Sequence, residues 1–340
     1  MKMPSMTREK RSTSNTGKEL LRYAAGLLFG LVAVAAGIAT AGEPLRNEPI
    51  KPIPLTVDVD EKKVALGRLL FHDPKLSKDN TISCASCHSL KTGGVDQQKI
   101  STGILGRKGN INAPTVFNSG LLFRQFWDGR AETLEEQVDD PVQNPVEMGS
   151  QWPDVLAKLY DDPKYPGLFK EIYPDGIKRK NVKNAVAEYE RSLITPNSRF
   201  DQYLRGDESA INEQERQGYE LFKSYGCISC HQGMAVGGNM FQVFGAVNSY
   251  FKQRGNIQKA DMGRFNLTGN EMDRHSFKVP SLRMAALTPP YLHDGNAKTL
   301  REAVDIMFKF QLGREAPDED KEALVAFIKT LAGEHPEMEK

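Results

Sequence analysis

Apolar residues recur with helical spacing along much of the chain, so most of the predicted elements are helices. The stretch EALVAFIKTL places its apolar residues on one helical face, and the following Gly333 predicts the helix stop. Two other apolar runs begin with capping boxes, Asn212 with Glu215 and Thr299 with Glu302. Pro, Gly and Asn cluster between such runs, as in KTGGVDQQ and QGMAVGGNM, which is typical of loops. The pattern predicts a mainly all-α protein with long loops.

One apolar run near the N-terminus has no polar face. The run YAAGLLFGLVAVAAGIATA follows a basic region and ends at Ala39-Thr40-Ala41, which is typical of a secretory signal peptide. We therefore predict that residues 1–41 are removed and that the mature protein is periplasmic. An uncleaved membrane anchor is the alternative, because the run is nearly long enough to span a bilayer. In both cases the rest of the chain lies outside the cytoplasm.

The rest of the chain contains two copies of one unit. A glycine and a phenylalanine four residues later precede each cysteine pair, at Gly67 and Phe71 and at Gly218 and Phe222. The block APTVFNSGLLFRQFWDGRAETLEEQV, from Ala113, aligns without gaps with VPSLRMAALTPPYLHDGNAKTLREAV, from Val279. This duplication predicts two tandem domains, each with its own core, and the charged interval from Arg199 to Asn212 places their boundary, giving residues 42–198 and 199–340.

All four cysteines fall in C-x-x-C-H motifs. The motifs are Cys84-x-x-Cys87-His88 and Cys227-x-x-Cys230-His231. Two thiols at this spacing can add to the vinyl groups of one haem, and the adjoining histidine is then held against the iron. A zinc site is the alternative, although zinc sites rarely place a histidine directly after the second cysteine of both pairs. The sequence therefore predicts two covalently bound c-type haems, one in each of two tandem cytochrome c-like haem domains.

The charge balance of the chain excludes few classes of binding partner. Without residues 1–41, the chain keeps 39 basic and 42 acidic side chains. No basic stripe is present, so nucleic acid is not an expected partner. A mildly acidic surface suits a basic protein partner, but solubility alone would favour the same balance.

The two copies differ at a position that matters for iron. Met307 follows Val304 by three residues on a second-copy helix, and the matching residue of the first copy is Pro141. A thioether can ligate one iron and has no counterpart at the other. The alternative is that Met307 is an ordinary core residue at helical spacing, as most methionines are.

Several stretches together resemble a known family. The two C-x-x-C-H motifs, QFWDGRAETLEEQ, NPVEMG, ALTPPYLHDG and AVDIMFKFQLG resemble the bacterial dihaem cytochrome c peroxidases and their relative MauG, the methylamine dehydrogenase maturation enzyme. The resemblance runs from about Lys63 to Gly333. It implies a peroxidase that reduces hydrogen peroxide to water with electrons from a small periplasmic cytochrome c or cupredoxin. Relatives of this kind commonly dimerise, which makes a homodimer a further expectation.

The resemblance also implies roles for individual residues. His88 is the proximal ligand of the peroxide-binding haem, whereas His231 and Met307 ligate the electron-transfer haem. Glu147 resembles the carboxylate that moves the peroxide proton, and Gln137 its hydrogen-bonding neighbour. The alternative for Glu147 is a solvated surface glutamate.

Two further features of the family map onto this chain. Trp127 resembles the tryptophan that lies between the two haems and carries electrons, although a buried aromatic at a domain interface would fit the same position. Asn112, with the backbone carbonyls of Thr288 and Pro290, matches the family's calcium site. These are the hard oxygen ligands that calcium takes.

The chain departs from the family at one loop position. In many of these peroxidases a histidine caps the first haem of the oxidised enzyme, and alignment on Asn112 puts Ile104 at that place. Isoleucine cannot bind iron, and His72 precedes the haem motif on a segment that the family uses for packing. We therefore expect an open or water-bound sixth position on the first haem and activity without reductive activation.

This departure keeps two other functions open. MauG shares the open site and oxidises a protein side chain, but it has a tyrosine where this chain has Met307. A dihaem electron-transfer cytochrome without catalysis is the other alternative. It would require both irons to be six-coordinate, which Ile104 argues against.

Overall fold

Helices dominate the computed structural model, which describes residues 46–339. The mainly helical fold class is therefore confirmed, with one small two-stranded sheet as the exception. The predicted signal peptide, residues 1–41, lies outside the described residues. No helix within residues 46–339 is both long and apolar enough to cross a membrane.

The helices of the first half are α1 (Glu61–Phe71), α2 (Cys84–Cys87), α3 (Leu134–Gln137), α4 (Asp139–Gln143), α5 (Trp152–Asp161), α6 (Lys164–Ile172) and α7 (Arg179–Ser192). Those of the second half are α8 (Arg199–Leu204), α9 (Glu213–Ser224), α10 (Tyr250–Arg254), α11 (Phe265–Thr268), α12 (Leu300–Ile306) and α13 (Asp318–Lys329). A π-helix, Met307–Leu312, continues α12. Strands β1 (Phe241–Val243) and β2 (Ser276–Lys278) pair antiparallel, with Phe241 opposite Lys278.

The same helix crossing occurs in both halves. Helix α1 packs on α7, and α9 packs on α13. At each crossing a glycine faces a backbone carbonyl so closely that an added Cβ would lie 1.9 Å from the oxygen, for Gly67 on Ala185 and for Gly218 on Ala323. The repeated glycine is therefore required by the close approach of two helix backbones.

We expect Gly67→Ala to lower the free energy of unfolding by about 3 kcal/mol, because the helices must separate to admit one methyl group. Gly167→Ala is the matched control on α6, where an added Cβ meets nothing within 4 Å. That variant should gain up to about 1 kcal/mol from helix propensity. Denaturant unfolding of both variants measures the difference, and equal stabilities would contradict the close-packing explanation.

Most of the helix starts and stops predicted from local sequence signals match the helix ends in the structure. Both predicted capping boxes are confirmed, at the starts of α9 and α12. The predicted helix stop is wrong in position, because α13 ends at Lys329 and Gly333 lies beyond it. An added Cβ on Gly333 would lie 2.3 Å from the carbonyl oxygen of Thr195. Gly333 therefore serves packing against the segment that follows α7.

The aligned blocks also share their backbone conformation. Three matching pairs have a positive φ: Asn118 and Met284, Phe126 and Leu292, Gly129 and Gly295. Each block forms the same antiparallel bridge, Gln125 with Ala131 and Tyr291 with Ala297. The duplication therefore extends to conformations that non-glycine residues rarely adopt.

The interior contains two main hydrophobic clusters. One draws on residues 66–193 with Met284, and the other on residues 200–331 with Ile50. Each end of the described chain packs with the cluster of the other half. Ile50 belongs to the second cluster, and Met338 packs against the first. The tandem-domain division at residue 198 remains a prediction.

Candidate haem and peroxide site

The first haem-attachment motif forms the short helix α2. Ser83 and Ser86 close a capping box at its start. His88 follows the helix, and its Nδ1 lies 3.2 Å from the carbonyl oxygen of Gly94. Burial lowers the pKa of His88. A neutral ring that donates through Nδ1 leaves Nε2 as a lone-pair donor, which is the form that a metal-ligating histidine requires.

The second motif is a 3₁₀ turn, Cys227–Ser229, preceded by Gly226 in the left-handed region. Burial lowers the pKa of His231 to about 4, so this ring is also neutral. Its Nδ1 is buried and has no hydrogen-bond partner among the described residues. The backbone leaves just enough room for the ring, because an added Cβ on Gly237 would lie 3.2 Å from that nitrogen.

All four cysteines are free thiols and half-buried. Burial raises the pKa of Cys84 to about 12 and those of Cys87 and Cys227 to about 11. Neither pair forms a disulfide, so each pair is available for two thioether bonds beside a neutral histidine. The donor set of both motifs therefore fits a c-type haem.

Met307 lies at the junction of α12 and the π-helix and is half-buried. Its neighbours Val304 and Phe308 belong to the second hydrophobic cluster, against which Cys227 also packs. Helix α12 and the second motif therefore share one core. π-Helical turns are frequent at functional sites, because they redirect a side chain within a continuous helix.

Glu147 and Ile104 are brought together. The backbone N–H of Ile104 donates to the carbonyl oxygen of Glu147 at 2.8 Å, and an added Cβ on Gly149 would lie 2.4 Å from the Ile104 side chain. Burial raises the pKa of Glu147, although the charge of Arg130 opposes the shift. Its Oε1 accepts a hydrogen bond from Asn144 Nδ2 at 2.7 Å. Glu147 is half-buried, unlike a solvated surface glutamate.

The other candidates around this carboxylate are less closely placed. The charge of Glu147 raises the pKa of Cys87, after burial and Asp96, which puts Glu147 within electrostatic range of the first motif. Gln137 is the half-buried last residue of α3. His72 lines a separate groove of about 660 Å³ beside Ala85, and neither Glu147 nor Ile104 lines that groove.

Trp127 lies where the two aligned blocks meet. Its Nε1 donates to the carbonyl oxygen of Asn112 at 2.9 Å. Its ring contacts His293, the residue at the matching position of the second block, with ring centroids 6.2 Å apart. Phe277 contacts Trp127 edge to face at 6.4 Å. Trp127 therefore packs against residues of the second half, and its place between two haems remains a prediction.

Sequence reasoning missed a buried charged group behind this tryptophan. His293 Nε2 lies 2.8 Å from Asp261 Oδ1, and Arg254 forms ion pairs with both Asp261 and Asp294. Although burial opposes it, the ion pair with Arg254 lowers the pKa of Asp261 to about 2. The Arg254 guanidinium already pairs with both carboxylates, so this is an ion-pair cluster and not a favourable metal site. The alignment of His293 with Trp127 was the available sequence clue.

The candidate calcium ligands lie on facing segments. Asn112 is buried, and its Nδ2 donates to the carbonyl oxygens of Gln98 and Lys99. Gln97 Nε2 donates to the carbonyl oxygen of Leu287, directly before Thr288. Pro290 follows two residues later. The oxygen-rich segments are therefore close to one another, and their use as calcium ligands remains a proposal.

Comparison with known proteins gives a consistent class. A family model for di-haem cytochrome c peroxidase matches residues 61–209. The chain is 50% identical over 289 residues to the cytochrome c peroxidase Ccp of Escherichia coli (strain K12), covering 85% of this chain but only 62% of that protein. It is 43% identical over 307 residues to the cytochrome c551 peroxidase of Nitrosomonas europaea, covering 90% of each chain.

A solved structure agrees with this class. The crystal structure of a MauG-like protein associated with microbial copper homeostasis matches with a TM-score of 0.73 at 27% identity, covering 87% of this chain and 97% of that one. The helical fold and the two haem-attachment motifs define a dihaem c-type protein. The chain belongs to the di-haem cytochrome c peroxidase family, and this membership classes it as an oxidoreductase.

Proposed function

We propose that this protein is a periplasmic dihaem cytochrome c peroxidase that reduces hydrogen peroxide to water. Its electrons would come from a small cytochrome c or a cupredoxin. The observation that carries the proposal is the half-buried carboxyl of Glu147, with a raised pKa, beside a first motif whose histidine is neutral. When bound, the haem supplies the redox chemistry. Peroxide-dependent oxidation of a reduced small cytochrome c by the holoenzyme tests it.

Glu147 would move the proton that peroxide reduction requires. Cleavage of the O–O bond needs a proton taken from one peroxide oxygen and delivered to the other, and one carboxyl group can do both. A carboxyl group with a raised pKa holds and releases a proton nearer to neutral pH than an exposed one. Asn144 fixes Oε1 through its hydrogen bond, which orients the carboxyl group.

The second half would receive the electrons. His231 and Met307 are the proposed ligands there, and a methionine ligand raises the potential of a haem iron, which suits acceptance of electrons. Trp127 would lie on the route between the halves, held by its hydrogen bond to Asn112. Calcium bound through Asn112, Thr288 and Pro290 would then stabilise the same junction, and a homodimer remains part of the proposal.

We expect the fully oxidised, calcium-loaded holoenzyme to oxidise reduced cytochrome c as soon as peroxide is added. The physical reason is that Ile104 offers no nitrogen to the first iron and that its side chain is buried against Gly149. Steady-state turnover with and without pre-reduction measures this. Ile104→His is the informative variant, and it should make turnover depend on pre-reduction. A bis-histidine low-spin spectrum from the first haem of the unmodified oxidised enzyme would contradict the expectation.

MauG-like oxidation of a protein side chain is the second candidate, and Ile104 is the residue that favours it. Met307 opposes it, because the resemblance implies tyrosine at that place in MauG. Negligible turnover with a small cytochrome c, from a preparation that contains both haems, would favour the MauG-like function. A non-catalytic electron-transfer cytochrome would show no peroxide turnover and two six-coordinate irons.

A further inference from the structure

Lys278 is a buried basic residue that forms no ion pair with residues 46–339. The residue is 6% exposed, and none of the described residues forms a hydrogen bond or ion pair with its Nζ. Two other basic residues are buried to a similar depth in residues 46–339, and both are paired: Arg283 with Asp201 at 2.9 Å and Lys321 with Asp305 at 3.0 Å. Lys278 is therefore the exception among them.

An unpaired ammonium group is unfavourable at such a place. Burial, with no opposing charge, lowers the pKa of Lys278 to about 8. A buried charge is normally retained where a counter-ion and hydrogen bonds compensate for its lost hydration. A methionine or leucine would fill the same volume without this cost, so the lysine indicates an anion that residues 46–339 do not supply.

The position of Lys278 indicates which anion this is. Lys278 ends β2, opposite Phe241 of β1, and its backbone N–H donates to the carbonyl oxygen of Trp127 at 2.8 Å. The next residue of β1, Gln242, reaches to 3.9 Å from Cys230 Sγ, a predicted haem-attachment atom. The strand pair therefore connects the second haem motif with the tryptophan at the junction of the two halves.

The internal duplication pairs Lys278 with a candidate calcium ligand. Lys278 aligns with Asn112, one residue before the blocks that match. The two residues make reciprocal hydrogen bonds: Asn112 N–H donates to the carbonyl oxygen of His293, and Lys278 N–H donates to that of Trp127, each at 2.8 Å. The backbone of the junction is thus pseudo-symmetric, with the candidate calcium ligand Asn112 on one side and the buried Lys278 on the other.

We propose that Lys278 binds a propionate carboxylate of the second haem beside Trp127. The inference rests on the proposed haem binding and extends it. The ammonium group would then serve, on its side of the junction, as the cationic partner that calcium provides on the other. It would also make the surroundings of the second haem less negative, which favours the reduced iron.

Spectroelectrochemical titration of the holoenzyme tests the pairing. Lys278→Met should shift the potential of the second haem downward and lower the melting temperature, because a buried carboxylate loses its partner. Lys278→Arg should keep the potential close to that of the unmodified protein. Lys252→Met, on the exposed face of the neighbouring α10, is the matched control and should change neither quantity.

Two other results would contradict the pairing of Lys278 with a haem propionate. If Lys278 has no anionic partner, Lys278→Met should raise the melting temperature and leave both potentials unchanged, and this would overturn the inference. A shift confined to the first haem would also overturn it. If both haems are present and the second potential shifts but the enzyme has no peroxide turnover, the proposed function fails while the pairing of Lys278 stands.

Discussion

Replacing Glu147 with glutamine is expected to leave both haems attached and to reduce peroxide turnover by about 10²–10⁴-fold, the usual contribution of a positioned general acid–base group. Glutamine keeps the size of the side chain but cannot take up and release the proton. The hydrogen bond from Asn144 to Oε1 can persist with an amide oxygen. Haem content from the pyridine haemochrome spectrum, with steady-state turnover, measures both parts of the expectation.

The control for this variant is Glu319→Gln, an exposed acidic residue in the first turn of α13, which should retain full turnover. Unchanged turnover in Glu147→Gln would remove Glu147 from the mechanism. A loss of haem in that variant would show instead that the residue supports the attachment site.

Replacing Met307 with leucine is expected to lower the potential of the second haem by a few tenths of a volt, within the range of about 0.8 V that axial ligands cover. Leucine matches the volume of methionine and lacks the sulfur, so packing beside Val304 and Phe308 is preserved. Turnover should fall with the potential, because the second haem would accept electrons less readily. Potentiometric titration of the two haems measures the shift.

Met284→Leu provides the comparison, since Met284 is fully buried in the first cluster. It should leave the second potential unchanged. If Met307→Leu behaves in the same way, Met307 is an ordinary core residue, and the second iron takes its other ligand from elsewhere.

Local sequence signals predicted the helix starts well. The capping boxes at Asn212 and Thr299 could be recognised in the sequence because each depends on two side chains three residues apart. The glycine of each helix crossing was also visible as a repeat. Its cause, a carbonyl oxygen from a distant helix, could not be deduced, and the same limit explains Gly333. Glycine marks close approach without indicating which segment approaches.

The candidate site was predictable only where covalent chemistry fixes the spacing. The haem motifs and the Trp127 block were evident, but Asp261 lies outside both blocks and meets His293 only in the folded chain. Lys278 was missed for a different reason, because the block alignment began one residue after it. A buried unpaired charge has no sequence signature, since a lysine next to a strand is usually exposed.

The exchange of chain ends between the two clusters bears on how the polypeptide matures. Synthesis proceeds from the N-terminus, so Ile50 is made long before Phe200 and Val236, with which it shares a core. The segment around Ile50 therefore stays unburied until the second half has been synthesised. The C-terminal Met338 is made last and packs against the half that was made first. Each cluster therefore reaches its final burial only when residues from the other end of the chain are present.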